Sequence, residues 1–309
     1  MLLASEYWWK ICLELKLRQA NGNAFQDFFS DVMTARYMND FVRVRPHGQL
    51  GDKGCDGYLQ STKQVFACYG AVNGDKTKAS YLTSKMSEDF EKAKKNIPEL
   101  MQEWYMVHNL VDGLPISAVT ILNTLASENP TIKFAFFGME LFEEKIDNLD
   151  HKQINKLLGP CAINQDSLSL QTEELRDLIQ SIAEAAEIEY KPNLDIKPVP
   201  VDKLDANQLP GHWKSLISGG WQNAHLVVSY LNKHHDPLIG ERIAQYFSEK
   251  YRYLKSQDLS SSNIMTTLYE FATGSGSVRP ERQVAAQALL AHLFESCDIF
   301  ENISLEANK

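Results

Sequence analysis

The residues best suited to chemistry lie between Gly51 and Gly70, with Gln26 upstream of them. Asp52 and Asp56 are carboxylates in a glycine-rich stretch, and Lys53 and Lys63 are cations close by. Metal-assisted hydrolysis of a phosphodiester needs such groups. Acidic oxygens converge on a hard divalent cation, and a lysine positions water or balances the charge that builds on the phosphoryl oxygens. One economical layout starts a hairpin strand with an aspartate. An acid and a lysine, two residues apart, then share a face of the next strand, and a preceding helix adds one more acid or amide. Asp56 fits the first place and Gln26 the last. Alternation along the second strand puts Val65, Ala67 and Tyr69 on one face. The acid and lysine places are therefore held by Ala67 and Tyr69, which carry neither a carboxylate nor a positive charge. The nearest replacements in sequence are Asp52, Lys53, Lys63, Asp75, Lys76 and Lys78.

The elements that would position these groups can be read from periodicity. Residues 3–19 are densely apolar and broken by single charges, which predicts a buried helix. Asn21-Gly22-Asn23 interrupts it, and a second helix follows with Phe25, Phe28, Phe29 and Val32 at i, i+3, i+4 and i+7. Gln26 falls about 100° round from Phe25, at the edge of that stripe, and Asp27 points away from it. Residues 41–48 alternate Val42 and Val44 with Arg43 and Arg45, a strand pattern. Residues 50–59 form a turn into a strand, residues 64–70 a second strand, and Ser61-Thr62-Lys63 a hairpin connection. Residues 77–96 read as a helix closed by Pro98. Strands are expected at 103–109 and 132–138, with a helix at roughly 115–128 between them. Helices alternating with strands late in this segment predict an α/β domain with a partly parallel sheet.

That domain is expected to occupy residues 1–160. A helix at 171–188 and the proline-rich stretch 191–211 then form a connection, residues 161–210 in all. Residues 211–309 read as a small all-helical C-terminal domain. Ile239, Ile243, Tyr246 and Phe247 share a face there, as do Ala285, Ala288, Leu289, His292 and Leu293. The face carrying Leu289, Leu293 and Phe294 is either local core or a docking surface for another subunit, with Glu295, Asp298 and Glu301 around it.

Composition narrows the classes. The chain has 309 residues, 44 % hydrophobic and 23 % charged, which excludes a wholly disordered, collagenous or disulfide-scaffold protein. No run approaches the length of a membrane-spanning segment, and the first residues lack the pattern of a secretory leader. Five scattered cysteines without a CxxC pair argue against structural zinc and predict a cytoplasmic, reduced protein. The net charge of −9 leaves no basic excess for strong non-specific DNA binding by this chain alone, so a partner would supply it. The segment 274–277, GSGS, lacks the Gly-Lys-Ser/Thr that completes a phosphate-binding loop, so ATP chemistry would belong to a partner as well.

The string GDKGCDGYL (51–59), between the helix NAFQDFF and the strand VFACYGA, resembles the PD-(D/E)XK restriction-endonuclease fold. It is similar in particular to the nuclease-like effectors of bacterial ABC-ATPase three-component defence systems, the group that includes Lamassu. DFEKA (89–93), WYMVHNLVDGLP (104–115), INKLLGP (154–160) and ALLAHLFESCDIFEN (288–302) fit the same branch. In that family the strand after the hairpin ends in a glutamine, one residue and a tyrosine. Tyr69 is kept here, and Ala67 replaces the glutamine.

The resemblance implies a restriction-endonuclease-like mixed sheet flanked by helices, and an effector held with an SMC/ABC-type ATPase and a middle subunit. It implies a DNA endonuclease acting on double-stranded DNA with Mg²⁺ or Mn²⁺. Asp56 would be the principal metal ligand and Asp52 the second. Gln26 would assist, and Lys63, Lys76 or Lys78 would replace the strand lysine. Homo-oligomerisation on activation would bring two sites together. The alternative is a catalytically degenerate nuclease fold that serves as a scaffold or sensor subunit of the same kind of complex, which Ala67, Tyr69 and the negative net charge favour.

Overall fold

The computed structural model describes residues 6–45, 53–72, 79–185, 203–296 and 298–300. The chain divides into two compact units: Leu13–Leu158, and Met1–Cys12 together with Gly159–Lys309. Among the described residues, no helix is long and apolar enough to cross a membrane.

The first unit is built on a five-stranded sheet in the order β1-β2-β3-β4-β5. Strands β1 (Phe41–Arg43), β2 (Gly57–Leu59) and β3 (Gln64–Tyr69) pair antiparallel. Strands β4 (Glu103–His108) and β5 (Lys133–Phe137) continue the sheet parallel to β3. The helices are α1 (Glu6–Gln19, with Leu13 onward in this unit), α2 (Gly22–Tyr37), α3 (Ala79–Asn96), α4 (Ile116–Glu128), α5 (Met139–Asp147) and α6 (His151–Leu158). The expected sequence of helices and strands is present up to β5. Of the expected strand over 41–48, Phe41–Arg43 form β1, and residues 46–48 lie outside the described residues.

Two layers of apolar side chains enclose the sheet. On one face Val65, Ala67 and Tyr69 of β3 pack with Leu82, Met86 and Phe90 of α3 and with Ala118 and Leu125 of α4. On the other, Phe29 of α2 meets the rings of Phe41, Phe66, Phe137 and Phe142 at centroid distances of 5.3–6.2 Å. Such edge-to-face clusters contribute beyond their area of burial. Two polar clasps fix the ends. The buried Asn109 side chain donates to the carbonyls of Leu17, Ala20 and Ala71 and accepts the Ala71 amide. Arg18 bonds Glu14 and grips Asp112 through both terminal nitrogens at 2.8 Å.

The second unit is helical: α7 (Asn164–Leu168), α8 (Thr172–Ala185), α9 (Lys203–Ala206), α10 (Gly211–Lys233), α11 (Ile239–Ser256), α12 (Ser261–Thr273) and α13 (Pro280–Glu295). Helix α13 is its axis. An amphipathic α13 was the expectation, yet nearly every residue from Gln283 to Phe294 is buried. The cause is small side chains. Ala285, Ala286, Ala288 and Ala291 let neighbouring helices close in, and a Cβ on Gly220 of α10 would lie 2.5 Å from the Gln287 carbonyl oxygen. Leu289, Leu293 and Phe294 therefore belong to the core of the unit. Buried Gln287 is satisfied by Tyr7 Oη, the Leu216 carbonyl and the Ser167 hydroxyl. Trp213 lies in the same core, its ring 5.7 Å from Tyr269 and its indole N–H bonded to Ser262. Of the proline-rich stretch, residues 191–202 lie outside the described residues, and Lys203 begins α9.

Candidate functional site

The candidate site forms where three elements converge beside the end of β3. Its first requirement is the close approach of α2 to that strand. Gly70 has no Cβ; one placed there would lie 2.6 Å from the Gly22 amide nitrogen and 2.7 Å from Phe25 Cβ. The gap is closed by a hydrogen bond from the Gly22 amide to the Gly70 carbonyl. Gln26 is one turn further along α2 and is thereby carried over the sheet. The second requirement is the turn before β2. Gly54 has φ +76°, and its Cβ would meet the Asp89 carbonyl oxygen of α3 at 2.2 Å. Only glycine combines that conformation with that contact. Gly57 is similarly hemmed in by the Phe41 and Phe29 rings, which explains a glycine directly after Asp56.

Asp56 extends β2 by one residue between its neighbours. Its amide donates to Phe66 at 2.7 Å, and its carbonyl accepts from Val44 at 3.1 Å. The side chain is 9 % exposed. Oδ1 accepts from Gln26 Nε2 and Oδ2 from the Cys68 amide, both at 2.6 Å. The Gln26 carbonyl oxygen in turn accepts from Arg45 Nη1 at 3.1 Å, and Arg45 also pairs with Asp27. A chain of contacts thus runs from a half-exposed arginine through a buried amide to a buried carboxylate. Cys68 beside it is buried. Burial raises its thiol well above the usual range, the Asp56 charge adds to the effect and the Lys85 charge opposes it.

Of the residues singled out from sequence, Asp56 and Gln26 are brought into direct contact. Lys63 is not brought to them. It stands at the β2–β3 turn with φ +51°, and its Nζ donates to the Glu99 carbonyl at 3.3 Å. The Asp56 amide meets the Phe66 carbonyl. Three residues of strand, about 10 Å, therefore separate Lys63 from that level. Asp52, Asp75, Lys76 and Lys78 lie outside the described residues. Ala67 is fully buried in the α3-facing core, and Tyr69 beside it packs on Tyr81 with ring centroids 5.9 Å apart.

The described residues do not complete a magnesium or manganese site. Both Asp56 oxygens already accept short hydrogen bonds, and Ala67, at the acid place on β3, is a buried methyl group. Among the described residues, no group of three His, Cys, Asp or Glu side chains is placed to hold a metal ion.

Sequence reasoning assigned no role in this unit to four residues. Arg45 read only as the polar phase of a strand. Lys85 and Asp89 of α3 read as part of an amphipathic helix, yet they form a 2.6 Å ion pair with Asp89 almost fully buried. His108, at the end of β4, is buried. Desolvation lowers its pKa to about 4, its Nδ1 accepts the Leu110 amide, and its ring fills the space that Gly138 leaves.

Comparison with known proteins bears on the second unit. Residues 173–301 match the family model of C-terminal domain 10 of the ABC-three component (ABC-3C) systems. That segment runs from α8 to beyond the end of α13 and covers less than half of the chain. Searches of curated proteins and of solved structures return no match.

Proposed function

We propose that this chain is the effector-type subunit of an ABC-three component defence assembly, docked through its helical unit to an SMC/ABC-type ATPase and a middle subunit. Its α/β unit engages double-stranded DNA at the Asp56 edge of the sheet without a strand-borne acid and lysine for cleavage. One observation carries this: Ala67 and Tyr69, which hold the acid and lysine places on β3, are buried among apolar side chains of the α3-facing core. Neither brings a carboxylate or a positive charge to the site. The negative net charge supports a division of labour in which partners bring the DNA.

A second reading has its own support. The 2.6 Å contact between Asp56 and Gln26 is the arrangement expected of a metal-binding acid with a helper amide. On that reading the subunit is a DNA endonuclease, Asp52 supplies the second carboxylate, and Asp56→Ala abolishes nicking of supercoiled plasmid.

The assembly itself is tested by mixing the purified chain with the ATPase and middle subunit of its own system on a sizing column. Co-elution at fixed stoichiometry is expected. A chain that elutes alone, under conditions where the other two associate, overturns the docking role.

A further inference from the structure

Helix α3 packs against both the end of β3 and the turn before β2, and one stripe of it makes the two contacts. Tyr81, Lys85 and Asp89 are spaced i, i+4 and i+8, so they share that stripe. The two outer members have fixed contacts with opposite sides of the site. The Tyr81 ring meets Tyr69 at the end of β3, and the Asp89 carbonyl oxygen meets Gly54 of the turn before β2. Lys85 is one turn from each. It is therefore held over the stretch between Tyr69 and Gly54, where Asp56 and Cys68 lie. Its side chain is 28 % exposed, open enough to receive a ligand, and its bond to Asp89 at 2.6 Å keeps the ammonium from swinging away. The electrostatics agree: the buried Cys68 thiol feels the Asp56 and Asp89 carboxylates on one hand and the Lys85 ammonium on the other.

We propose that Lys85 of α3 is the positive charge of the Asp56 site, in the role that strand spacing assigns to Tyr69, and that it takes a phosphate oxygen of a phosphodiester backbone. This rests on the reading that the α/β unit engages DNA. It adds which residue makes the contact and from which element. Among the described residues, the other charged or titratable groups around the site are Lys53, Cys55 and Asp56 of the turn, Tyr58 of β2, Cys68 and Tyr69 of β3, Tyr81, Asp89 and Lys92 of α3, and Arg45, which is joined through Gln26; Lys53 is exposed, with its backbone in the left-handed region. Lys92 bonds Asp89 at 3.4 Å but is more than half exposed, and Arg45 is committed to Gln26 and Asp27. Lys85 is the cation held between the turn and the strand end.

The test uses the full chain with Lys85→Met and Lys85→Arg, each checked for native helical content by circular dichroism. The first readout is the carbon-13 NMR titration of the Asp56 carboxyl. In Lys85→Met it should move up by about one pH unit, because the nearby cation no longer favours the charged form. In Lys85→Arg it should stay near the wild-type position. An unchanged titration in Lys85→Met overturns the placement of Lys85, whatever the protein does to DNA. The second readout is binding of a fluorescein-labelled duplex by the reconstituted assembly. Lys85→Met should weaken it at least threefold, with Lys85→Arg restoring most of the loss. Equal binding by wild type and Lys85→Met overturns the phosphate contact. A wild-type assembly that binds no duplex refutes DNA engagement itself and, with it, this ligand for Lys85. The Asp56 titration would still report whether the two groups are neighbours.

Discussion

Each unit buries a charged side chain, and the two do so to opposite ends. In the helical unit Lys203 is almost fully buried. Its Nζ donates to the carbonyls of Phe294 and Ile299 and lies 4.3 Å from the Phe294 ring centroid. Those carbonyls belong to the end of α13 and the turn after it, where helix geometry leaves acceptors without intrahelical donors. The lysine caps that end and ties α9 to it, a structural task in a closed core. In the α/β unit Asp56 is held by one side-chain amide and one backbone amide at the edge of a sheet, next to a half-exposed arginine and a partly exposed lysine. A stability role would be served as well by an apolar residue there, since replacing a buried polar cluster by hydrophobic groups is often neutral or favourable. The contrast separates a charge that closes a fold from one kept beside an opening.

The largest expected effect belongs to the closed core. Trp213→Ala removes a fully buried indole and should cost about 3–5 kcal/mol. Urea unfolding of the full chain measures it, and a loss below about 1 kcal/mol would mean that this core is looser than its packing implies.

Next comes the pH dependence set by His108. Its ring is neutral in the folded state, with a pKa lowered to about 4 by burial, and in the unfolded chain it titrates near 6.5. Between these values the unfolded state binds more protons, so stability falls as pH drops from about 6.5 to about 4 and levels off below. The loss attributable to His108 is at most about 3 kcal/mol. Denaturation midpoints across that window should flatten in His108→Gln, and an unaltered pH slope would remove His108 as the cause.

Lys203→Met sharpens the comparison itself. It keeps the stem and deletes two charge-assisted bonds, so a loss of about 2–3 kcal/mol is expected. Asp56→Asn should cost less, about 1–2 kcal/mol, because the amide oxygen can still accept one of the two hydrogen bonds. If Asp56→Asn proves the more costly of the two, the aspartate is the structural charge and the contrast fails.

Much of the α/β unit was legible in the sequence because its signals are local. The Phe25–Val32 stripe, the Ser61-Thr62-Lys63 turn and the alternation through β3 are set by neighbours in the chain. The contact between Gln26 and Asp56 was legible as a pairing of roles, though not its 2.6 Å length. What stayed hidden is non-local. Lys63 looked close to Asp56 in sequence, but a strand carries it about 10 Å along the sheet. Lys85 and Asp89 looked like an ordinary i, i+4 pair, because nothing in α3 itself reveals that Gly54 packs against it. Helix α13 hid its burial for a different reason. Its alanines weaken the amphipathic pattern, and only the bare backbone of Gly220 on α10 shows how close the two helices come.

The central claim is that the Asp56 edge engages DNA without cutting it. The most direct test incubates supercoiled plasmid with the full chain, its ATPase and its middle subunit in Mg²⁺ or Mn²⁺, with wild type and Asp56→Ala run in parallel over time. Plasmid that is shifted by binding yet stays supercoiled with both proteins is the predicted result. Nicked or linear plasmid that appears with wild type and is absent with Asp56→Ala would contradict it and establish a working endonuclease.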